Sequence, residues 1–236
     1  MARIIAIVSA KGGVGKSSLC VGLGMKLAAR GRRVLLADTD IALKSLDILL
    51  GLSENAVNSW QDVLEGGCSF DRAVLDSGRG VSLLPAPYDC TYSPDAEKFS
   101  TVLRESTSQY DYVLIDAPAG LTGGFELAAA AADEAIIVAT PDNVSINAAA
   151  VAAHRARLLG VSQCALVVNR LNKRIAAHSL DDIIDSVCVR LLGVVPEDRA
   201  ILKSADGIQA NAASKANAAF GRIARGLENE TVPLII

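Results

Sequence analysis

Short runs of aliphatic and β-branched residues recur along the chain at 3–9, 33–38, 81–84, 111–116, 134–140, 164–169 and 191–195. Little polar alternation interrupts them, which predicts strands buried on both faces and therefore a mostly parallel sheet covered by helices on either side. Segments of helical periodicity lie between the runs, over 17–30, 59–65, 95–108, 143–159, 180–189 and 214–228. The last of these places Phe220, Ile223, Ala224 and Leu227 at helical spacing, as in a helix packed on the sheet. No Pro/Ser-rich linker or repeat breaks the succession, so residues 1–236 are expected to form a single α/β domain with its ligands at the carboxyl ends of the strands.

Composition narrows this picture by exclusion. Hydrophobic residues make up 51% of the chain but aromatics only 4%, which suits helix-on-sheet layers better than an aromatic binding face. A net charge of -3 provides no global basic field to attract nucleic acid or anionic lipid. The five cysteines, at 20, 68, 90, 164 and 188, are odd in number and lack CxxC spacing, and no basic segment leads an apolar stretch at the N-terminus. A reducing cytoplasm is the expected setting, with Cys20, Cys164 and Cys188 as small core residues. Asp133 and Glu134 interrupt the Ala-rich stretch after Leu127, so no apolar run approaches the ~18 residues of a spanning helix. His154 and His178 have no companions at metal-ligand spacing and are read as surface or helix residues.

The chemistry concentrates in Lys11-Gly-Gly-Val-Gly-Lys-Ser-Ser18, which follows the first strand and opens the first helix. A triphosphate needs many N–H donors close to its oxygens, and Gly12, Gly13 and Gly15, with Val14 between them, permit backbone conformations that turn successive amides inward. Lys16 supplies a point charge for the β/γ-phosphates, the Ser17 hydroxyl can hold Mg²⁺, and the start of the helix favours the anion further. Ala10 stands where the strict G-x-x-x-x-G-K-[ST] pattern has its first glycine. The plain alternative is a Gly-rich turn with an incidental lysine. Three glycines, Lys16 and two hydroxyls between a strand and a helix outweigh it, and predict a P-loop NTPase. Asp116 is expected to end an apolar strand, where a carboxylate can reach Mg²⁺ or merely cap the strand. Asn169 sits at another strand end, as a base-reading amide or an ordinary turn residue.

With its second lysine, the loop resembles the deviant Walker A motif of the MinD/ParA family of P-loop ATPases. Ala37-Asp-Thr-Asp40, with Leu43, Leu46-Asp47 and Leu50-Gly51 beyond, is similar to that family's first switch. Asp111-Tyr-Val-Leu-Ile-Asp116-Ala-Pro-Ala-Gly120 is similar to its Walker B strand and second switch. Ala132-Asp-Glu-Ala135, Pro141, Val168-Asn-Arg170, Leu192-Gly-Val-Val-Pro-Glu-Asp198 and Val232-Pro-Leu234 extend the resemblance over nearly the whole chain, most closely to the septum-placing branch.

The resemblance implies an Mg-ATP-dependent dimerising ATPase switch in the placement of the bacterial division site. Lys11 would be the signature lysine, reaching across a sandwich dimer to the partner's phosphates. Lys16 would bind the β/γ-phosphates, Ser17 Mg²⁺ and Ser18 the α-phosphate. Asp40 would orient the attacking water, Asp38 and Asp116 would serve the Mg²⁺ shell, and Gly120 would offer its amide to the γ-phosphate. Asn169, Pro196 and Asp198 would line the adenine pocket. Implied partners are a second copy of the chain, a protein activator, and a division inhibitor or adaptor.

Two departures from the family pattern bear on partners. Ala42, Lys44 and Ser45 occupy first-switch positions where Gly, Arg and Asn are common, and Lys44 forfeits the planar two-point bonding of arginine. The ending Thr231-Val-Pro-Leu-Ile-Ile236 lacks the basic and apolar faces of an interfacial helix, so peripheral contact with the inner membrane face is not encoded there. Rival readings are a DNA-partition ATPase, which the acidic balance disfavours, and a positioning scaffold without turnover, which would need neither Lys11 nor Asp40. An iron protein holding a cluster between subunits ranks lowest, because Cys90 has no evident companion.

Overall fold

The computed structural model describes residues 1–88, 94–172, 178–198 and 214–235; Cys90 and Ile236 lie outside them. The chain alternates β1 (Arg3–Ser9), α1 (Lys16–Ala28), β2 (Val34–Asp38), α2 (Ser45–Leu50), α3 (Trp60–Leu64), α4 (Phe70–Ala73), β3 (Leu75–Asp76) and β4 (Val81–Leu84). It continues through α5 (Ala96–Ser106), β5 (Tyr112–Ala119), α6 (Gly124–Ala131), β6 (Glu134–Ala139), α7 (Asn143–Leu158), β7 (Gln163–Leu171), α8 (Leu180–Val187), β8 (Arg190–Pro196) and α9 (Lys215–Leu227). The strands form one sheet in the order β3-β4-β2-β5-β1-β6-β7-β8, parallel except for β3, which runs antiparallel to β4. This is the predicted doubly covered α/β architecture.

The pleat of β1 divides the core in two. Ile4, Ala6 and Val8 face one apolar layer with Trp60, Phe99, Phe125 and the alanines of α6 and α7. Ile5 and Ile7 face the other, with Leu19, Leu23 and Leu27 of α1 and Phe220, Ile223 and Leu227 of α9. With both faces covered, alternation has nothing to separate, which is why the strands read as continuous apolar runs.

Four elements were not expected. Helix α2 is six residues held between two left-handed residues, Lys44 (φ 46°) and Gly51 (φ 72°), too short for a period to register. Helix α4 spans four residues and β3 two. Helix α6 carries a run of alanines, strong helix formers, but opens on Gly123-Gly124, which reads as a turn. One core assignment is corrected. Cys20 is fully buried and Cys164 half-buried, but α8 stops two residues early and leaves Cys188 exposed in a left-handed C-cap (φ 54°).

Close approach between α1 and α9 depends on a missing side chain. A Cβ on Gly22 would lie 2.4 Å from the Phe220 ring. Where the two helices end, Glu228 is held by Arg30 and Arg32 from the turn after α1.

Ala favours a helix over Gly by about 1 kcal/mol, so intrinsic propensity alone would make Gly22→Ala stabilising. Overpacking against Phe220 is expected to reverse that sign, with a net loss of about 1–2 kcal/mol in urea unfolding. Most of the loss should disappear in a Phe220→Leu background. A Gly22→Ala protein as stable as the parent would mean that the ring yields freely.

Candidate functional site

All the predicted site residues of the described strands fall at the carboxyl edge of the sheet, where β1, β2, β5, β6 and β7 end side by side. The loop after β1 turns through Gly13 (φ 73°) and Gly15 (φ 93°), conformations that glycine adopts without strain. Gly15 is also the N-cap of α1, whose first turn carries no acidic residue. The positive end of the helix is thus left for an external anion.

Lys16 is only 7% exposed. Burial lowers the pKa of its ammonium, while the neighbouring carboxylates of Asp116 and Asp40 raise it. Asp116 was expected to end β5 but lies within it, since the strand continues to Ala119. Its carboxylate is 1% exposed, and neither oxygen makes a hydrogen bond of normal geometry. Burial pushes its pKa well above the usual carboxylate range and Asp38 adds to the rise; the nearby Ser17 hydroxyl and Lys16 oppose it.

Asp38 is 2% exposed, and its two oxygens accept the backbone amides of Asp40 at 2.8 Å and Leu46 at 3.0 Å. It therefore shapes the turn that carries Asp40, a use that sequence did not reveal. Burial raises its pKa to about 7 despite those two amides. The same turn is pinned by the Trp60 indole, which donates to the Asp38 carbonyl at 2.8 Å, and by Thr39, whose amide and hydroxyl both donate to the Asp116 carbonyl. Asp40 accepts the Leu43 amide at 3.1 Å. Gly120, beyond β5, is left-handed (φ 109°).

Buried acidic oxygens without donors beside a single lysine suit a cation. Among the described residues no group of three His, Cys, Asp or Glu side chains has metal-holding geometry. Mg²⁺ in nucleotide sites takes much of its shell from phosphate oxygens and water, so one carboxylate and the Ser17 hydroxyl are a sufficient protein contribution.

Lys11 stands apart from this cluster. Its Nζ bonds both oxygens of Asp142, at 2.9 and 3.0 Å, within the same chain. Asp142 is the N-cap of α7 and also accepts the Ser145 amide and the Thr140 hydroxyl. Partial burial would raise its pKa, but the bonds from Thr140, Lys11 and Ser145 prevail and hold it at about 2. Sequence reasoning did not single out Asp142, although Thr140-Pro-Asp-Asn carries an N-cap signal.

Two cavities flank the loop. One, of about 100 Å³, is lined by Asn169 and the Pro196 to Asp198 stretch, expected at the base, by Gly15 and Ser18, expected at the phosphates, and by Arg170, Val195, Ala216 and Phe220, which were expected at neither. The Asp198 carboxylate accepts the Ser214 hydroxyl at 2.7 Å and the Ala216 amide at 3.3 Å, joining the end of β8 to the start of α9. The other cavity, of about 430 Å³, lies between Lys11, Gly12, Gly13, Asp142 and Arg170.

Residues 5–209 match the CobQ/CobB/MinD/ParA nucleotide binding domain. The septum site-determining protein MinD of Synechocystis sp. is 35% identical over 246 residues, covering 100% of this chain and 92% of that protein. The MinC:MinD cell division protein complex of Aquifex aeolicus superimposes with a TM-score of 0.90 at 34% identity, covering 100% of this chain and 99% of that one. The septum site-determining protein MinD from Pyrococcus horikoshii, complexed with Mg-ADP, gives 0.88 at 28% identity, covering 97% and 96%.

The buried carboxylates make nucleotide-free stability depend on pH. A folded-state pKa raised above the ordinary 3.8 means that the folded protein holds the proton more tightly than the unfolded chain. That contribution is complete below 3.8 and is lost as pH rises through the folded values, about 7 for Asp38. Asp116→Asn removes one of the two groups, so its melting temperature should fall less than the parent's between pH 5 and pH 8. An equal fall in both proteins would contradict the burial of an ionisable, unpartnered Asp116.

Proposed function

The chain belongs to the CobQ/CobB/MinD/ParA nucleotide-binding family and is a MinD-type ATPase of cell division, and we propose that it binds Mg-ATP at the phosphate loop and hydrolyses it as a homodimer. The observation that carries the nucleotide assignment is the unpartnered Asp116 carboxylate beside Lys16, at the foot of a loop whose amides and helix end await an anion.

On this reading Gly12, Gly13, Val14 and Gly15 donate backbone amides to the phosphates, Lys16 holds the β/γ-phosphates and Ser18 the α-phosphate. The Ser17 hydroxyl and Asp116 would hold Mg²⁺, which supplies charge neutralisation at the β- and γ-phosphate oxygens when bound. Asp40 orients the attacking water from a turn that Asp38 keeps closed through its two amide contacts. Asp38 thus takes a positioning part beside the Mg²⁺ shell. Gly120 presents its amide to the γ-phosphate. The base occupies the cavity at Asn169, Pro196 and Asp198, with Phe220 as its apolar wall.

Lys11 is the part that makes hydrolysis a property of two subunits. Its pair with Asp142 leaves the side chains 34% and 46% exposed. A pair so open to water is worth only ~0.2–1 kcal/mol, so triphosphate oxygens of a second subunit can displace Asp142. Exchange of that partner would mark the ATP-bound dimer and let other proteins read it. The MinC:MinD complex of Aquifex aeolicus supports a division inhibitor as one such reader. An activator of hydrolysis completes the cycle. No described helix is long and apolar enough to cross a membrane.

Lys11→Ala should leave ATP affinity within about threefold of the parent while lowering turnover by ~10²–10³, the usual loss for one preorganised transition-state charge. Equal turnover in parent and variant would remove Lys11 from the mechanism. Asp142→Asn keeps an N-cap and releases Lys11, and should lower the protein concentration needed for ATP-dependent dimerisation by ~2–5-fold, as read by sedimentation. A shift to higher concentration would mean that Asp142 serves the dimer itself.

A further inference from the structure

The loop of this ATPase is secured from a strand that is not its neighbour. Strand β7 is separated from β1 by β6 in the sheet, yet Asn169 sends its side chain across to the loop that follows β1. Its Nδ2 donates to the Val14 carbonyl at 2.7 Å. Its Oδ1 accepts the amide of the next residue, Arg170, at 2.9 Å. Asn169 is 8% exposed, and its bond to Val14 is buried.

Three features make sense together only if this contact is a built one. The pairing of β7 with β8 slips between Val168 and Leu171, and within that slip Arg170 adopts φ 54°, a left-handed conformation uncommon for arginine. The bond from the Arg170 amide to Asn169 Oδ1 supports that bulge. On the loop side, a Cβ at Gly15 would come within 2.3 Å of Asn169 Nδ2, so the approach needs glycine there for space as well as for φ. Val14 is fastened from both directions, its side chain 1% exposed in the core and its carbonyl on Asn169.

Resting on the phosphate-loop reading above, we infer that Asn169 is a positioning residue for the phosphate loop, fixing Val14 and Gly15 independently of any contact it makes with the base. The loop contains three glycines among residues 11–15 and would otherwise sample many conformations, each ordered residue costing roughly 1–2 kcal/mol of backbone entropy. A strut from β7 meets part of that ordering before ligand arrives. One amide proton and one lone pair of Asn169 are thereby committed to the protein, and the second amide proton stays available to a base.

A ligand without a base separates the two roles. Inorganic tripolyphosphate with Mg²⁺ and Mg-ATP would each be competed against a fluorescent ATP analogue on the parent, Asn169→Ala and Asn169→Leu; the leucine keeps bulk beside Gly15 without either hydrogen bond. Hydrogen exchange of the amides of residues 13–18 would be measured on the same nucleotide-free proteins. Loss of the bond to Val14 is expected to weaken tripolyphosphate ~5–10-fold and ATP by at least as much, and to speed exchange in both variants. Weakening confined to ATP, with exchange unchanged, would overturn the inference and leave Asn169 as a base contact alone. If tripolyphosphate binds too weakly to measure, unchanged exchange still overturns the inference and faster exchange in both variants upholds it. Failure of the parent to bind either ligand would instead remove the phosphate-loop reading itself.

Discussion

An imbalance of buried charge governs the carboxyl edge of this sheet. Asp38, Asp40 and Asp116 are each under 10% exposed; the buried Lys16 ammonium lies near Asp116 and Asp40, and the Lys44 ammonium, also buried, lies near Asp38. Ionised carboxylates in such a place carry a desolvation penalty unless donors or cations meet them. Asp38 has two backbone amides; Asp116 has none. The fold holds this arrangement because β2 and β1 both pair with β5, so their carboxyl ends cannot separate without dismantling the centre of the sheet. On the proposed reading, Asp116 would help to hold Mg²⁺ and the loop amides the triphosphate, and the cation would supply the charge that Asp116 lacks.

The two lysines of the loop differ in burial, and burial separates their uses. Lys16 is sealed among carboxylates and cannot leave, so it can only recognise what enters. Lys11 lies about one-third exposed on an N-cap aspartate that keeps its charge far below neutral pH. A weak, solvated ion pair suits the partner exchange proposed for Lys11, since little free energy is lost in leaving it.

Much of this was legible in the sequence, and what was missed shares a physical cause. Strands, their parallel sense and the phosphate loop are local patterns: continuous apolar runs, three glycines and a lysine between strand and helix. The expectation that Asp116 ends β5 failed because the sheet extends past it through Pro118 and Ala119 beside a register shift in β1. Cys188 was misplaced because a left-handed C-cap turns it outward at the end of an apolar helix. Asp142, Arg170 and Phe220 were overlooked as site residues because each matters through a contact that folding alone creates. Lys11 meets Asp142 across 131 residues, and Val14 meets Asn169 across 155.

Those long-range contacts also explain how separate parts of the chain become one site. On the proposed reading, phosphate recognition is local to β1 and α1, whereas the cavity proposed for the base is assembled from β7, the end of β8 and the first turns of α9. Asn169 is bonded to the loop and lines the base cavity, and Phe220 lines that cavity while packing on Gly22 of α1. The helix that begins at the phosphates is therefore held, one turn after another, by the helix that walls the base. Neither half can shift alone, because Gly22 leaves no gap for Phe220 to slide into and Asp198 ties the start of α9 to β8. A nucleotide spanning both halves, as proposed, would bind to a frame that these contacts have already set, with Lys11 on its weak ion pair as the group able to change partner.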